Sequence, residues 1–244
     1  MLKRKRKTSR IFTVQAPTGG WNVKDPISDM PITDAVILDN CFCRPSDIQI
    51  RKGYTSWATG IAGNVETIVE YSPPSGTAKV FSASNNSGVC QFYDISTAGA
   101  VGAAVVSGLT SAQIRTASFT NSGGSFLHCV NGADSLRLYD GSTWYTVTGI
   151  SATYAITGVA TTSLTDVVLH KRRLWFVEKF TMSCWYLAAD AIAGAATKYD
   201  FGPIFARGGY ISKIDTWTLD AGTGVDDHFA VFTSEGEVAV YRGT

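Results

Sequence analysis

The sequence is poor in the residues that most catalysis needs. Charged side chains occupy 17% of the 244 positions, and there are three histidines, His128, His170 and His228. His128 and His228 fall at strand positions of the repeat described below, so no Ser-His-Asp set assembles from spacing. There is no Gly-x-Ser-x-Gly elbow, no glycine loop ending in Lys-Ser/Thr and no His-Glu-x-x-His. Asp215, Asp220, Asp226 and Asp227 contain no pair that spacing singles out as a glycosidase couple. Long apolar runs are missing too. Ala98 to Val106 is the longest candidate and is Gly/Ala-rich, which excludes a helical membrane span on sequence grounds. Ile11-Phe12-Thr13-Val14 is too short for the apolar centre of a secretory signal. Five cysteines are an odd number, and Cys41-Phe42-Cys43 has no second pair at zinc spacing. Buried free thiols and synthesis in a reducing cytosol are the expectation. Not an enzyme, with no cofactor, metal, small-molecule substrate or membrane insertion, is the reading that follows.

What is present points to a folded, turn-rich all-β chain: 45% hydrophobic residues and 24 glycines. The net charge of +1 conceals an uneven distribution. Lys3, Arg4, Lys5, Arg6, Lys7 and Arg10 crowd the first ten positions, leaving 15 basic against 20 acidic residues, a net −5, in the remainder. Such an arm suits contact with phosphate or an acidic partner, a nuclear-localisation signal, or solubility alone.

One module recurs. Leu174-Trp-Phe-Val-Glu-Lys-Phe-Thr-Met-Ser-Cys-Trp185-Tyr186 reads as a β-hairpin, and the same unit spans Phe81 to Tyr93, Leu127 to Tyr139 and Phe229 to Tyr241. Twelve residues before each tyrosine stand Phe81, Leu127, Leu174 and Phe229. Ten before stand Ala83, Cys129, Phe176 and Val231, and one before stand Phe92, Leu138, Trp185 and Val240. All are apolar, which predicts one buried face per hairpin. Asn85-Asn86-Ser87-Gly88, Asn131-Gly132-Ala133-Asp134 and Ser234-Glu235-Gly236 supply turns. Extra strands are expected upstream at Val65 to Tyr71, Ile114 to Phe119, Val167 to Leu169 and Tyr210 to Thr218. The tyrosines lie 46, 47 and 55 residues apart. Repeats of about 40–50 residues built from several strands suggest propeller blades. The expected fold is an all-β, propeller-like array of about four repeats over residues 55–244, with a basic tail and extended arm at 1–54; a β-sandwich or meander is the alternative.

Other stretches fill in around the repeats. A short helix is expected after Met30-Pro31, capped by Thr33 or Asp34 with Ala35, Val36 and Leu38 as its stripe, and Ile48 to Tyr54 alternates like a strand. Residues 95–113 and 145–165 read as small-residue connections. His170-Lys171-Arg172-Arg173 concentrates positive charge at a turn, the second candidate for DNA or partner contact after the tail. Residues 188–209 form an insertion in which Asp190 is expected to cap an Ala-rich helix and Gly208-Gly209 to bend tightly. Asp220 to Asp227 lacks the ligand cadence of an EF-hand and reads as an acidic hairpin loop.

Several of these stretches resemble the tail nozzle (tail tubular protein B-like) proteins of short-tailed bacteriophages. The likeness lies in Pro17-Thr-Gly-Gly20, Pro31-x-x-Asp34-Ala35-x-x-Leu38-x-Asn40, Arg51-Lys52-Gly53-Tyr54, His170 to Phe176, Trp185-Tyr-Leu187 and Gly208-Gly209. It is densest in Trp217-Thr-Leu-Asp220-x-Gly222-x-Gly224-x-Asp226-Asp227 and Phe232 to Tyr241. The resemblance implies a virion structural protein with a propeller-like platform. Such proteins form a hexameric ring below the tail adaptor, line the DNA exit channel and retain or release the genome during ejection. Members are usually much longer than this chain. Two other classes remain open: a carbohydrate-binding or carbohydrate-cleaving propeller recognising a host surface through Trp21, Trp57 and Trp144, and a nucleic-acid adaptor using residues 3–10.

Overall fold

A computed structural model describes residues 11, 13–220 and 225–242. The chain divides into two compact units, Met1–Thr55 and Ser56–Thr244.

In the first unit β1 (Gly20–Trp21) pairs in parallel with β2 (Asp34–Ala35), and β3 (Cys41–Cys43) pairs antiparallel with β4 (Ile48–Ile50). The helix expected after Pro31 is absent. Its cap and first turn are committed elsewhere: the Asn22 side-chain amide donates to the Asp34 carboxylate at 2.8 Å, and Gly19 N–H donates to the Thr33 carbonyl at 2.8 Å. Asp34 and Ala35 are drawn out as a strand, and Val36 of the intended stripe is left exposed.

The second unit opens with β5 (Ala58–Thr59). Sheet I follows: β6 (Asn64–Tyr71), β7 (Lys79–Asn86), β8 (Val89–Asp94), then β9 (Gly99–Ala100), which pairs in parallel with β5, and β10 (Val106–Leu109). Sheet II contains β11 (Arg115–Asn121), β12 (Gly124–Val130), β13 (Leu136–Tyr139) and β14 (Trp144–Val147). After β15 (Ile156–Thr157) comes sheet III, with β16 (Leu164–His170), β17 (Arg173–Glu178) and β18 (Ser183–Tyr186). Next are β19 (Gly194–Ala195), paired in parallel with β15, and β20 (Thr197–Asp200), the fourth strand of sheet III. Sheet IV is β21 (Ile211–Asp220), β22 (Val225–Thr233) and β23 (Val238–Tyr241). Each sheet is an antiparallel meander in chain order, so the unit is all-β and propeller-like. The expected upstream strands are β6, β11, β16 and β21. Residues 95–113 and 145–165 are more than connections, since β10 completes sheet I and the end of β14 lies in sheet II, and the insertion at 188–209 supplies β20, the fourth strand of sheet III. No helix forms after Asp190, whose backbone is left-handed at φ 62°, a conformation incompatible with starting one.

Burial follows from stacking. A core of Val69, Tyr71, Phe81, Phe92, Leu127 and Tyr139 joins sheets I and II; one of Phe119, Phe126, Leu138, Leu164, Leu174 and Phe176 joins II and III; one of Val177, Cys184, Phe201, Ile214, Phe229 and Val231 joins III and IV. Among the described residues no such core joins sheet IV to sheet I. The array is an open arc with two terminal faces.

This corrects the expectation of one buried face per hairpin. Sheets II and III are buried on both. In sheet II, Leu127 and Cys129 point to sheet I while Leu138 points to sheet III, because Leu138 pairs with His128, between them. Sheet IV repeats that register, with Val240 opposite Ala230, so Val240 lies on the outer face, 46% exposed. In sheets I and III the pairs are Phe92–Ala83 and Trp185–Phe176, one residue different. Since side chains alternate across a strand, that single step moves a residue from one core to another.

His128 is fully buried, and its Nε2–H donates to the Ile192 carbonyl at 2.9 Å. Burial lowers its pKa to about 4. The folded state therefore refuses a proton that the unfolded chain accepts near 6.5, and stability present at neutral pH drains away as pH falls through that window. Unfolding free energy measured by denaturant titration should drop by about 2 kcal/mol from this residue between pH 7 and 5, and His128→Gln should remove that part of the slope. Phe176→Ala, in the II–III core, should cost about 3–5 kcal/mol, whereas Val240→Thr on the open face should stay within about 0.5 kcal/mol.

Candidate functional site

The basic turn caps the β16–β17 hairpin. His170 pairs with Arg173, so Lys171 and Arg172 are its two central residues, with φ of 45° and 61°. Positive φ at both positions gives the twist a two-residue hairpin favours, though Asn-Gly is the usual occupant. The three cations have different fates. Arg172 is clamped by Asp190, with Nε to Oδ1 at 2.8 Å and Nη2 to Oδ2 at 2.7 Å. Asp190, expected as a helix cap, thus neutralises one charge of the patch. Arg173 donates to the Leu187 carbonyl at 3.2 Å and stacks over Tyr186 at 5.5 Å. Lys171 stays exposed.

Lys171 and Arg173 border a pocket of about 300 Å³ between sheets III and IV, with Phe201 and Phe229 buried in its wall. The sequence offers the basic residues of this pocket but not its aromatic ones. Trp175 and Tyr199 lie on two strands of sheet III, 6.4 Å apart between ring centroids, and Tyr241 joins them only because sheet III stacks on sheet IV. Lys3, Arg4, Lys5, Arg6, Lys7 and Arg10 lie outside the described residues, as does the centre of the acidic turn, 221–224.

A second concavity of about 470 Å³ runs along the first strands of sheets II, III and IV, lined by residues 114–118, 166–169 and 213–215. β11 packs beside β16, and β16 beside β21, as strands do around a propeller axis. Its polar groups are mixed in sign: Lys213 pairs with Asp215 at 3.2 Å. Asp166 is 5% exposed and accepts a hydrogen bond from Ile214 N–H at 3.0 Å, tying sheet III to sheet IV. Burial pushes its carboxyl above the usual carboxylate range. The signal in the sequence is a lone carboxylate inside Leu164-Thr-Asp-Val-Val-Leu169.

Of the tryptophans expected at the surface, Trp21 and Trp57 are exposed, but Trp144 packs in the I–II core against Phe81, Phe92 and Tyr139. The cysteines are all free. Cys43 Sγ lies 3.4 Å from the Pro17 carbonyl, and burial raises the Cys129 and Cys184 thiols. Among the described residues no three His, Cys, Asp or Glu side chains gather as a metal site would require, and no helix is long and apolar enough to cross a membrane.

A carboxyl whose pKa is raised on folding loses stability as pH rises through the range between its unfolded and folded values. Asp166→Asn keeps an acceptor for Ile214 and removes the buried charge, so it should hold or raise Tm at pH 8. Asp166→Ala leaves that N–H unpaired and should cost about 1–3 kcal/mol; thermal melts of the two variants check this. Searches for similar proteins leave the physical reading unaided: no family model matches the chain, and no curated protein matches it.

Proposed function

We propose that this protein is a non-enzymatic structural subunit of a bacteriophage tail, assembling as a ring of the nozzle type. The observation that carries the reading is the open arc. Three sheet-to-sheet cores follow one another, and each end of the series presents a further sheet face with apolar residues uncovered. On sheet IV these are Trp217, Val238 and Val240, at 53%, 56% and 46% exposure. On sheet I, Val65 and Ile68 flank a groove of about 530 Å³ beside Trp57, whose indole N–H donates to the Ile95 carbonyl at 2.8 Å.

A second copy is the natural occupant, because sheet IV of one subunit against sheet I of the next continues the packing that already joins I to II, II to III and III to IV. Such a contact is head-to-tail, and head-to-tail contacts close into rings when the rotation permits. In this reading the ring sits below the tail adaptor, lines the DNA exit and retains or releases the genome. Lys171 and Arg173 then supply positive charge toward DNA or the adaptor. The resemblance in sequence supports the same class. The carbohydrate-binding alternative rests on Trp21 and Trp57 alone, since Trp144 is withdrawn into a core.

Light scattering and negative-stain microscopy of the purified protein test the proposal. A closed ring is expected, and Ile68→Glu or Val240→Glu should dissociate it into folded monomers. A wild-type protein monomeric at all accessible concentrations, or a ring indifferent to both substitutions, contradicts it.

A further inference from the structure

The pocket between sheets III and IV is lined by cations and by no carboxylate. Three polar atoms around it are buried without a protein partner: His170 Nδ1, Trp175 Nε1 and Tyr241 Oη. His170 itself is only 7% exposed. A buried polar group left without a partner is costly, so three in one place call for an explanation. The rest of the polar lining is Lys171 and Arg173, which donate only, and the Tyr199 hydroxyl, which can donate or accept. Trp175 also donates only, and no carboxylate or amide side chain lines the pocket.

The walls are flat and apolar. Trp175 lies 4.9 Å from Phe229, Tyr199 4.6 Å from Phe201, and Phe201 5.4 Å from Tyr241, centroid to centroid. The volume of about 300 Å³ is at the small end of ligand pockets. We propose that this pocket binds a small oxyanion carried on a flat ring, a ring carboxylate or ring phosphate. The ring lies among Trp175, Tyr199 and Phe229, and the oxygens meet Lys171, Trp175 Nε1–H and Tyr241 O–H. The exposed Lys171 and Tyr199 side chains give way on entry. Burial and the Lys171 charge disfavour a proton on His170, and Asp227 opposes them; an arriving anion acts in the same sense as Asp227 and draws a proton onto the ring, adding a donor. This site does not depend on ring assembly.

Calorimetric titration of the full chain with phenyl phosphate and benzoate, against benzyl alcohol and benzylamine as controls, tests it. One anion per chain is expected, with both controls at least about tenfold weaker, and whichever anion binds tighter identifies the headgroup. Trp175→Phe and Tyr241→Phe keep the rings and remove one donor each, and Lys171→Asn removes the cation while tolerating the left-handed turn. Each should weaken the anion by about tenfold with the near-ultraviolet circular dichroism of the fold retained. Should either of the ring variants alter that spectrum, Lys171→Asn at the exposed turn decides alone. Equal binding of benzyl alcohol, no saturation by about 10 mM anion, or affinities unchanged in the variants overturns the proposal.

Discussion

Every sheet in the larger unit depends on its neighbour for the burial of at least one face. A three- or four-stranded meander has two sides and cannot cover either by itself. Sheets II and III escape this by being sandwiched, with side chains such as Leu127 and Leu138 committed to opposite cores. Stability is therefore close to a sum of neighbour contacts along a line, as in other repeat architectures. Polar ties reinforce the apolar ones: Asp166 reaches from sheet III to Ile214 N–H, and Asp134 in the β12–β13 turn accepts from Thr110 N–H at 2.8 Å, just beyond sheet I.

That dependence explains both ends of the function proposed above. A series of stacked sheets that does not close on itself leaves apolar surface at its first and last members, and solvent is a poor partner for Trp217, Val238 and Ile68. The same stacking creates pockets wherever two sheets diverge at their rims, which is how the basic turn of sheet III comes to face the aromatic side chains of sheet IV.

Much of this is legible in the sequence. Alternating apolar residues and turn residues such as Ser87-Gly88, at φ 53° and 89°, mark the hairpins. Their spacing marks the four sheets. What is not legible is register, since the same tyrosine-anchored pattern pairs Phe176 with Trp185 in one sheet and His128 with Leu138 in another. A step of one residue costs nothing in composition yet decides which core receives the side chain. The candidate site shows the same limit. The cations at 171–173 are visible as a run, but the pairing of Arg172 with Asp190 is not, since it joins residues 18 apart that the fold also links by Asp190 N–H donating to the Arg172 carbonyl at 2.8 Å. The pocket gathers Trp175, Tyr199 and Tyr241 across 66 positions of chain. Likewise the helix expected after Pro31 fails because the Asp34 side chain has a partner in Asn22, and the one after Asp190 because that residue's backbone is left-handed.

Native-state hydrogen exchange on dilute, unassembled protein tests the central claim most directly, because it reads the free energy of opening strand by strand. Amides of β12, β13 and β17, in sheets covered on both sides, should exchange last and only through global unfolding, while those of β23 at the open end should exchange well before them. Protection of β23 equal to that of β12 and β17 would contradict an arc held together by neighbours and left open at its end.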